Sequence, residues 1–149
     1  MTMGKNKNIK IGREVNPNSS RQPKHSKDPE SYFDKSPSWC FSKCDFEYTK
    51  WSIDNIDFSA EILPKLISFE RRKWSDIVDD DKHNHWISIN DFSKEAQKRA
   101  AELPQLGDEL FSLRLTSTLR LFGFIENGVY YIIWVDKDHE VCPSKQRHT

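Results

Sequence analysis

Two arginines, Arg114 and Arg120, bracket the short polar run Thr116-Ser117-Thr118 inside an otherwise apolar stretch. If that run turns the chain, Leu115 faces Leu119 and Arg114 faces Arg120 across a hairpin. Two cations placed directly opposite one another are destabilising without a compensating charge. A phosphate supplies that charge well, because guanidinium forks match its oxygens bidentately. The chain offers its own alternative in Asp136, Asp138 and Glu140, and the Asn127-Gly128 turn described below puts Arg120 opposite Val135, beside that acidic run. His139 lies within it, just past the last apolar segment. Its ordinary pKa of about 6.5 suits proton transfer near neutrality, although a histidine at a strand end is also a common incidental surface residue.

Cys40 and Cys44, with His83 and His85, carry the atom types that zinc prefers. Four positions on a straight strand span ~13 Å, so they could share one ion only if the strand bends sharply; on a straight strand the cysteines read as small buried hydrophobes. His83-Asn84-His85 lacks the ββα spacing of a metal finger, and no metal or cofactor is expected. Three cysteines (Cys142 is the third) make no disulfide framework in a chain of this size. The five tryptophans each sit in an amphipathic run, which points to core packing; an aromatic platform for nucleic acid is the functional alternative.

These groups need a scaffold. At 149 residues the chain suits one domain with a hydrophobic core. Mean hydropathy is −0.80, and most of the polarity lies in residues 1 to 35, which hold eight Lys/Arg against four Asp/Glu and few large apolar side chains. Such a segment cannot bury enough surface to offset its ordering entropy. It reads as a disordered basic tail, dispensable for folding, ahead of a mildly acidic domain spanning 36 to 149. The tail can add non-specific attraction to nucleic acid or serve as a solvated linker. No apolar segment follows the basic start, and no run approaches the ~18 apolar residues of a membrane span; a cytoplasmic protein without a membrane partner is the expectation.

Within the domain, alternation from Ser38 to Tyr48 predicts a strand, with a second extended piece near Trp51 to Ile53. Asp57-Phe58-Ser59 offers N-cap chemistry for a helix whose Ile62, Leu63, Leu66, Ile67 and Phe69 form a core-facing stripe. Lys73 to Val78 predicts a short helix, Lys82 to His85 a polar loop, and Trp86 to Ile89 a short apolar run. Asn90-Asp91-Phe92-Ser93 can cap a helix from about Lys94 to Leu103 that Pro104 stops. Phe111 to Leu115, Leu119 to Ile125 and Val129 to Val135 predict antiparallel strands, the last two joined by Asn127-Gly128, a strong hairpin dipeptide because both positions tolerate positive φ. A strand apolar on both faces, such as Leu119 to Ile125, belongs at the centre of its sheet. The fold class is α+β, with an N-terminal strand and helices packed on an antiparallel meander.

From Leu106-Gly107 onward, and most clearly in Leu113-Arg114-Leu115, Leu119-Arg120-Leu121-Phe122, Val129 to Asp136 and His139-Glu140-Val141, the sequence resembles the RelE/ParE superfamily of toxin-antitoxin ribonucleases. The resemblance covers roughly residues 58 to 142. It implies a curled antiparallel sheet behind a helical hairpin, and an mRNA endoribonuclease that acts at the ribosome without metal, controlled by an antitoxin protein. Arg114 and Arg120 match the paired sheet arginines of that family. Arg114, Arg120 and Lys137 would then bind RNA phosphate, with Arg120 and His139 catalytic. His139 stands where active relatives tend to carry arginine, and Cys142 where they often carry tyrosine. The alternative is a non-catalytic protein-binding module on the same scaffold.

Overall fold

The structure, a computed structural model, describes residues 32–143. Its elements are β1 (Ser38–Cys40), α1 (Leu63–Glu70), α2 (Trp74–Asp79), β2 (His85–Ser88), α3 (Lys94–Ala101), β3 (Glu109–Arg114), β4 (Arg120–Glu126) and β5 (Val129–Asp136). Short 3-10 turns occupy Thr49–Trp51, Ile53–Asn55 and Ile89–Asp91, and a π-type turn at Phe58–Ile62 leads into α1. The five strands lie in the order β1-β5-β4-β3-β2. β1 runs parallel to β5, and every other neighbouring pair is antiparallel. The α+β class expected from the sequence is present, but the sheet is mixed, because β1 joins the meander along the free edge of β5.

Local chemistry accounts for most boundaries. The Asp57 carboxylate accepts from Ala60 N and the Ser93 hydroxyl from Ala96 N, so within the two expected capping runs these are the residues that cap. Asn127 and Gly128 take φ of 53° and 84°, the backbone of a tight hairpin turn. The Gly128 carbonyl accepts from Ser38 N and from the buried Trp74 indole at 2.8 Å, which clamps the tip of the hairpin to β1 and α2.

Both faces of the sheet are covered. One carries Ile62, Leu66, Phe69, Trp74 and Ile77 from the α1 and α2 region, packed on Phe111, Leu113, Leu121, Ile125, Tyr130 and Ile132. The other carries Trp51, Phe92 and the Ala96 and Ala100 side of α3, packed on Leu110, Phe122, Phe124, Ile133 and Trp134. This explains why β4 is apolar on both sides, and β4 is indeed the central strand. Trp51, Trp74 and Trp134 are core residues and Trp39 and Trp86 pack against the core. Leu63 and Ile67, expected in the α1 stripe, instead lie outward at 39% and 42% exposure.

Three further expectations are corrected. The N-terminal strand ends at Cys40, because the chain turns there and Asp45 is drawn inward: its N–H donates to the Ile133 carbonyl at 3.0 Å and its carboxylate is buried. The piece at Trp51 to Ile53 forms 3-10 turns, not a strand. The expected tail boundary at residue 35 falls inside the fold. Tyr32 is 2% exposed and packs edge-on against Trp74, while the Phe33 and Lys35 carbonyls accept from Ser75 N and Trp74 N. The rest of the expected tail lies outside the described residues.

The register of β5 on β4 contains one irregularity. Phe122 pairs with Trp134 but Gly123 pairs with Ile132, so Ile133 is the extra residue of a β-bulge. Ile133 and Trp134 consequently both face the α3 core. Beyond the bulge every pairing shifts by one, and Arg120 faces Asp136 in place of the Val135 expected by counting back from the turn. A Cβ at Gly123 would lie 2.0 Å from the Tyr131 carbonyl oxygen. Gly123→Ala therefore forces two backbones apart, and chemical denaturation should show a loss of about 3 kcal/mol; a variant as stable as the parent would mean that the two strands separate freely at this point.

Candidate functional site

Arg120 opens β4 and Arg114 closes β3, and the two are cross-strand partners as the sequence predicts. On the other side of Arg120 stands Asp136, at the end of β5. Asp136 is 1% exposed, and its carboxylate oxygens accept from Glu140 N at 2.9 Å and Val141 N at 2.8 Å. Those bonds fold the chain back after β5, so that Val141 enters the α3 core and its carbonyl accepts from Ser93 N. The turn requires His139 to adopt φ of 62°, a conformation that side chains other than glycine rarely take. His139 and Arg120 thereby line one cleft of ≈ 290 Å³, with Ser112, Phe122 and Cys142.

The opposite wall comes from the loop between α2 and β2. Asn84 is buried, its amide donating to the Ile77 carbonyl at 3.3 Å and its side-chain oxygen accepting from Arg114 N at 2.9 Å. It thus continues the β2–β3 ladder one step past His85. With Asn84 pinned inward, its exposed neighbours His83 and His85 line the cleft, together with Lys82. His83 Nδ1 lies 3.0 and 3.1 Å from the carboxylate oxygens of Asp80, and His85 Nδ1 lies 3.2 Å from the Asp81 carbonyl. Both partners can only accept, so in each neutral ring Nδ1 carries the proton and Nε2 is left as an acceptor. Sequence reasoning finds a polar loop here and misses its role; the alternation of two histidines about an asparagine is the available signal.

The charges are unevenly matched. Arg99 of α3 donates to both oxygens of the buried Asp45 at 2.7 and 2.8 Å, and the Trp134 indole donates to the same carboxylate at 2.9 Å. Burial pushes the Asp45 pKa up, but the Arg99 and Trp134 hydrogen bonds outweigh it and leave it below its ordinary value. Arg120 has no such partner: among the described residues its side chain makes no hydrogen bond or ion pair. Burial, then the nearby Arg114 charge, depress its pKa, and Asp136 opposes them only in part. Arg114 is held by its own turn, with Nε donating to the Thr116 carbonyl at 3.2 Å.

Of the residues singled out from the sequence, Arg120 and His139 share the cleft, and Arg114 adjoins it in a second cleft with Arg72 and His83. Lys137 is not brought to them: it donates to the Asn55 carbonyl at 3.1 Å and lines a separate cleft with Ile56 and Lys65. Cys40 on β1 and His85 on β2 occupy opposite edges of the sheet. Among the described residues no group of three or more His, Cys, Asp or Glu side chains is placed to hold a metal ion.

No family model, curated protein or solved structure matches this chain. Among the described residues, no helix is long and apolar enough to cross a membrane.

The Arg120 cleft therefore combines a cation that makes no side-chain hydrogen bond or ion pair among the described residues with three histidine side chains, a set suited to binding an oxyanion and moving a proton beside it. The left-handed backbone at His139 is consistent with that use, since strained conformations gather at functional sites. His139→Gly removes both the imidazole and the strain, and glycine's larger unfolded-state entropy offsets the gain, so thermal unfolding should show stability within about 1 kcal/mol of the parent. A much larger loss would show that the imidazole is structural.

Proposed function

We propose that the Arg120 cleft binds RNA phosphate, and that the domain is a RelE-like toxin of a toxin-antitoxin system acting in the cytoplasm as a metal-independent mRNA endoribonuclease. The observation that carries this reading is the state of Arg120: half-buried, beside a second arginine, and not ion-paired by the acidic residue opposite it, which is bonded to backbone amides. A partly desolvated guanidinium left this way is stabilised by an incoming anion more than an exposed one would be. The pair of consecutive helices α1 and α2 and the terminal antiparallel meander with its paired arginines support the same reading, although β2 and α3 intervene between them and β1 runs parallel to β5, departing from the curled antiparallel sheet the resemblance implies.

The alternative, a protein-binding module, draws support from the exposed apolar residues Phe41, Phe46, Leu63 and Ile67, at 37 to 50% exposure. Such residues also suit the docking of an antitoxin.

Arg120→Ala separates the two uses of the arginine. If it binds phosphate, affinity for single-stranded RNA falls, the slope of log K against log salt shrinks by about 0.7 for the one phosphate no longer neutralised, and thermal stability hardly changes. If Arg120 instead neutralises Asp136 within the fold, the variant is destabilised by roughly 1 to 3 kcal/mol and binds RNA as the parent does; that result would end the nuclease reading of this residue.

A further inference from the structure

His83 is shared by two clefts. On one side are Arg120, Lys82 and His139; on the other, in a cleft of ≈ 350 Å³, are Arg72 and Arg114. The imidazole is held in a defined orientation. Asp80, at the end of α2, binds Nδ1 through its carboxylate and accepts from His83 N at 3.1 Å and Asn84 N at 3.0 Å through its carbonyl. Asn84 in turn is locked to Ile77 and to the Arg114 backbone. A proton acceptor, Nε2, is thus fixed between two arginine sites.

We propose that the two clefts hold successive phosphates of one single-stranded RNA, and that His83 is a catalytic residue, the base for the 2′-hydroxyl of the nucleotide between them, with Asp80 as its positioning residue. This assignment rests on the reading of the Arg120 cleft as an RNA site. The 2′-hydroxyl proton passes to His83 Nε2 as the 2′-oxygen bonds to the adjacent phosphorus. The bond from phosphorus to the 5′-oxygen breaks, and that oxygen takes a proton from the His139 ring across the cleft. The products are a 2′,3′-cyclic phosphate and a 5′-hydroxyl, and no water or redox partner is consumed. Arg120 and Arg114 neutralise the phosphates, which is where negative charge gathers in the transition state. The substrate is single-stranded because in-line attack requires the 2′-oxygen to swing opposite the leaving oxygen, which a regular A-form helix prevents.

The test uses the full chain and a single-stranded RNA, with and without added ribosomes, under single-turnover conditions. The same RNA is also made with sulfur in place of the leaving 5′-oxygen, since a thiolate departs without a proton. His83→Ala and His83→Gln should each slow cleavage by about 10²- to 10⁴-fold on both substrates, with RNA affinity and melting temperature unchanged. His139→Ala should be slow on the ordinary RNA and restored by the sulfur leaving group. Asp80→Asn should reduce the rate while leaving affinity as in the parent. Cleavage by both His83 variants at the parental rate, restoration of those variants by sulfur, or a parent that binds RNA without cutting it would overturn the role of His83 while sparing the Arg120 site. A parent that fails to bind RNA at all would overturn both.

Discussion

Ile133 has no partner on β4, and the sheet closes around this extra residue because Gly123 brings no Cβ against the Tyr131 carbonyl. The consequences spread in two directions. Toward the α3 core, Ile133 and Trp134 turn to the same face, where the Ile133 carbonyl accepts from Asp45 N and the Trp134 indole reaches the Asp45 carboxylate. Toward the end of the sheet, the register shifts by one and brings Asp136 opposite Arg120. Bulges commonly re-aim side chains next to functional sites. Here the bulge decides both where the N-terminal strand stops and which residue stands beside the cleft.

Two buried carboxylates meet different fates on that frame. Asp45 is paired by Arg99 in a bidentate contact, so its charge is neutralised within the fold. Removing Arg99 would leave an uncompensated buried charge, which is the costly half of breaking such a pair. Asp136 is satisfied by backbone amides, and its hydrogen bonds shape the turn that carries His139. Arg120 is therefore left with an acidic neighbour that does not pair with it and a basic one, Arg114, that opposes its charge. The fold pairs one arginine with a buried carboxylate and leaves the other, among the described residues, with no side-chain hydrogen bond or ion pair.

Much of this is legible in the sequence because it rests on local chemistry. The caps at Asp57 and Ser93, the Asn127-Gly128 turn and the central position of the doubly apolar β4 follow from residues within a few positions of one another. So does the opposition of Arg114 and Arg120. What is not legible depends on distant partners. The bulge needs the meeting of Gly123 with Tyr131, and the end of β1 needs Asp45 to find Arg99 and Trp134. Tyr32 has the polar neighbours of a tail, yet a pocket beside Trp74 buries it. The histidine loop belongs to the same class: its geometry follows from Asn84 reaching the Arg114 backbone, thirty positions away.

The claim that the fold leaves Arg120 for an external phosphate is tested most directly by following arginine side-chain Nε–H resonances while a short single-stranded RNA is added. Arg120 and its cross-strand partner Arg114 should shift and saturate together, and Arg99, fixed on Asp45, should stay where it is. Saturable RNA binding that leaves the Arg120 resonance unmoved would contradict the account, because the phosphate would then sit elsewhere on the molecule.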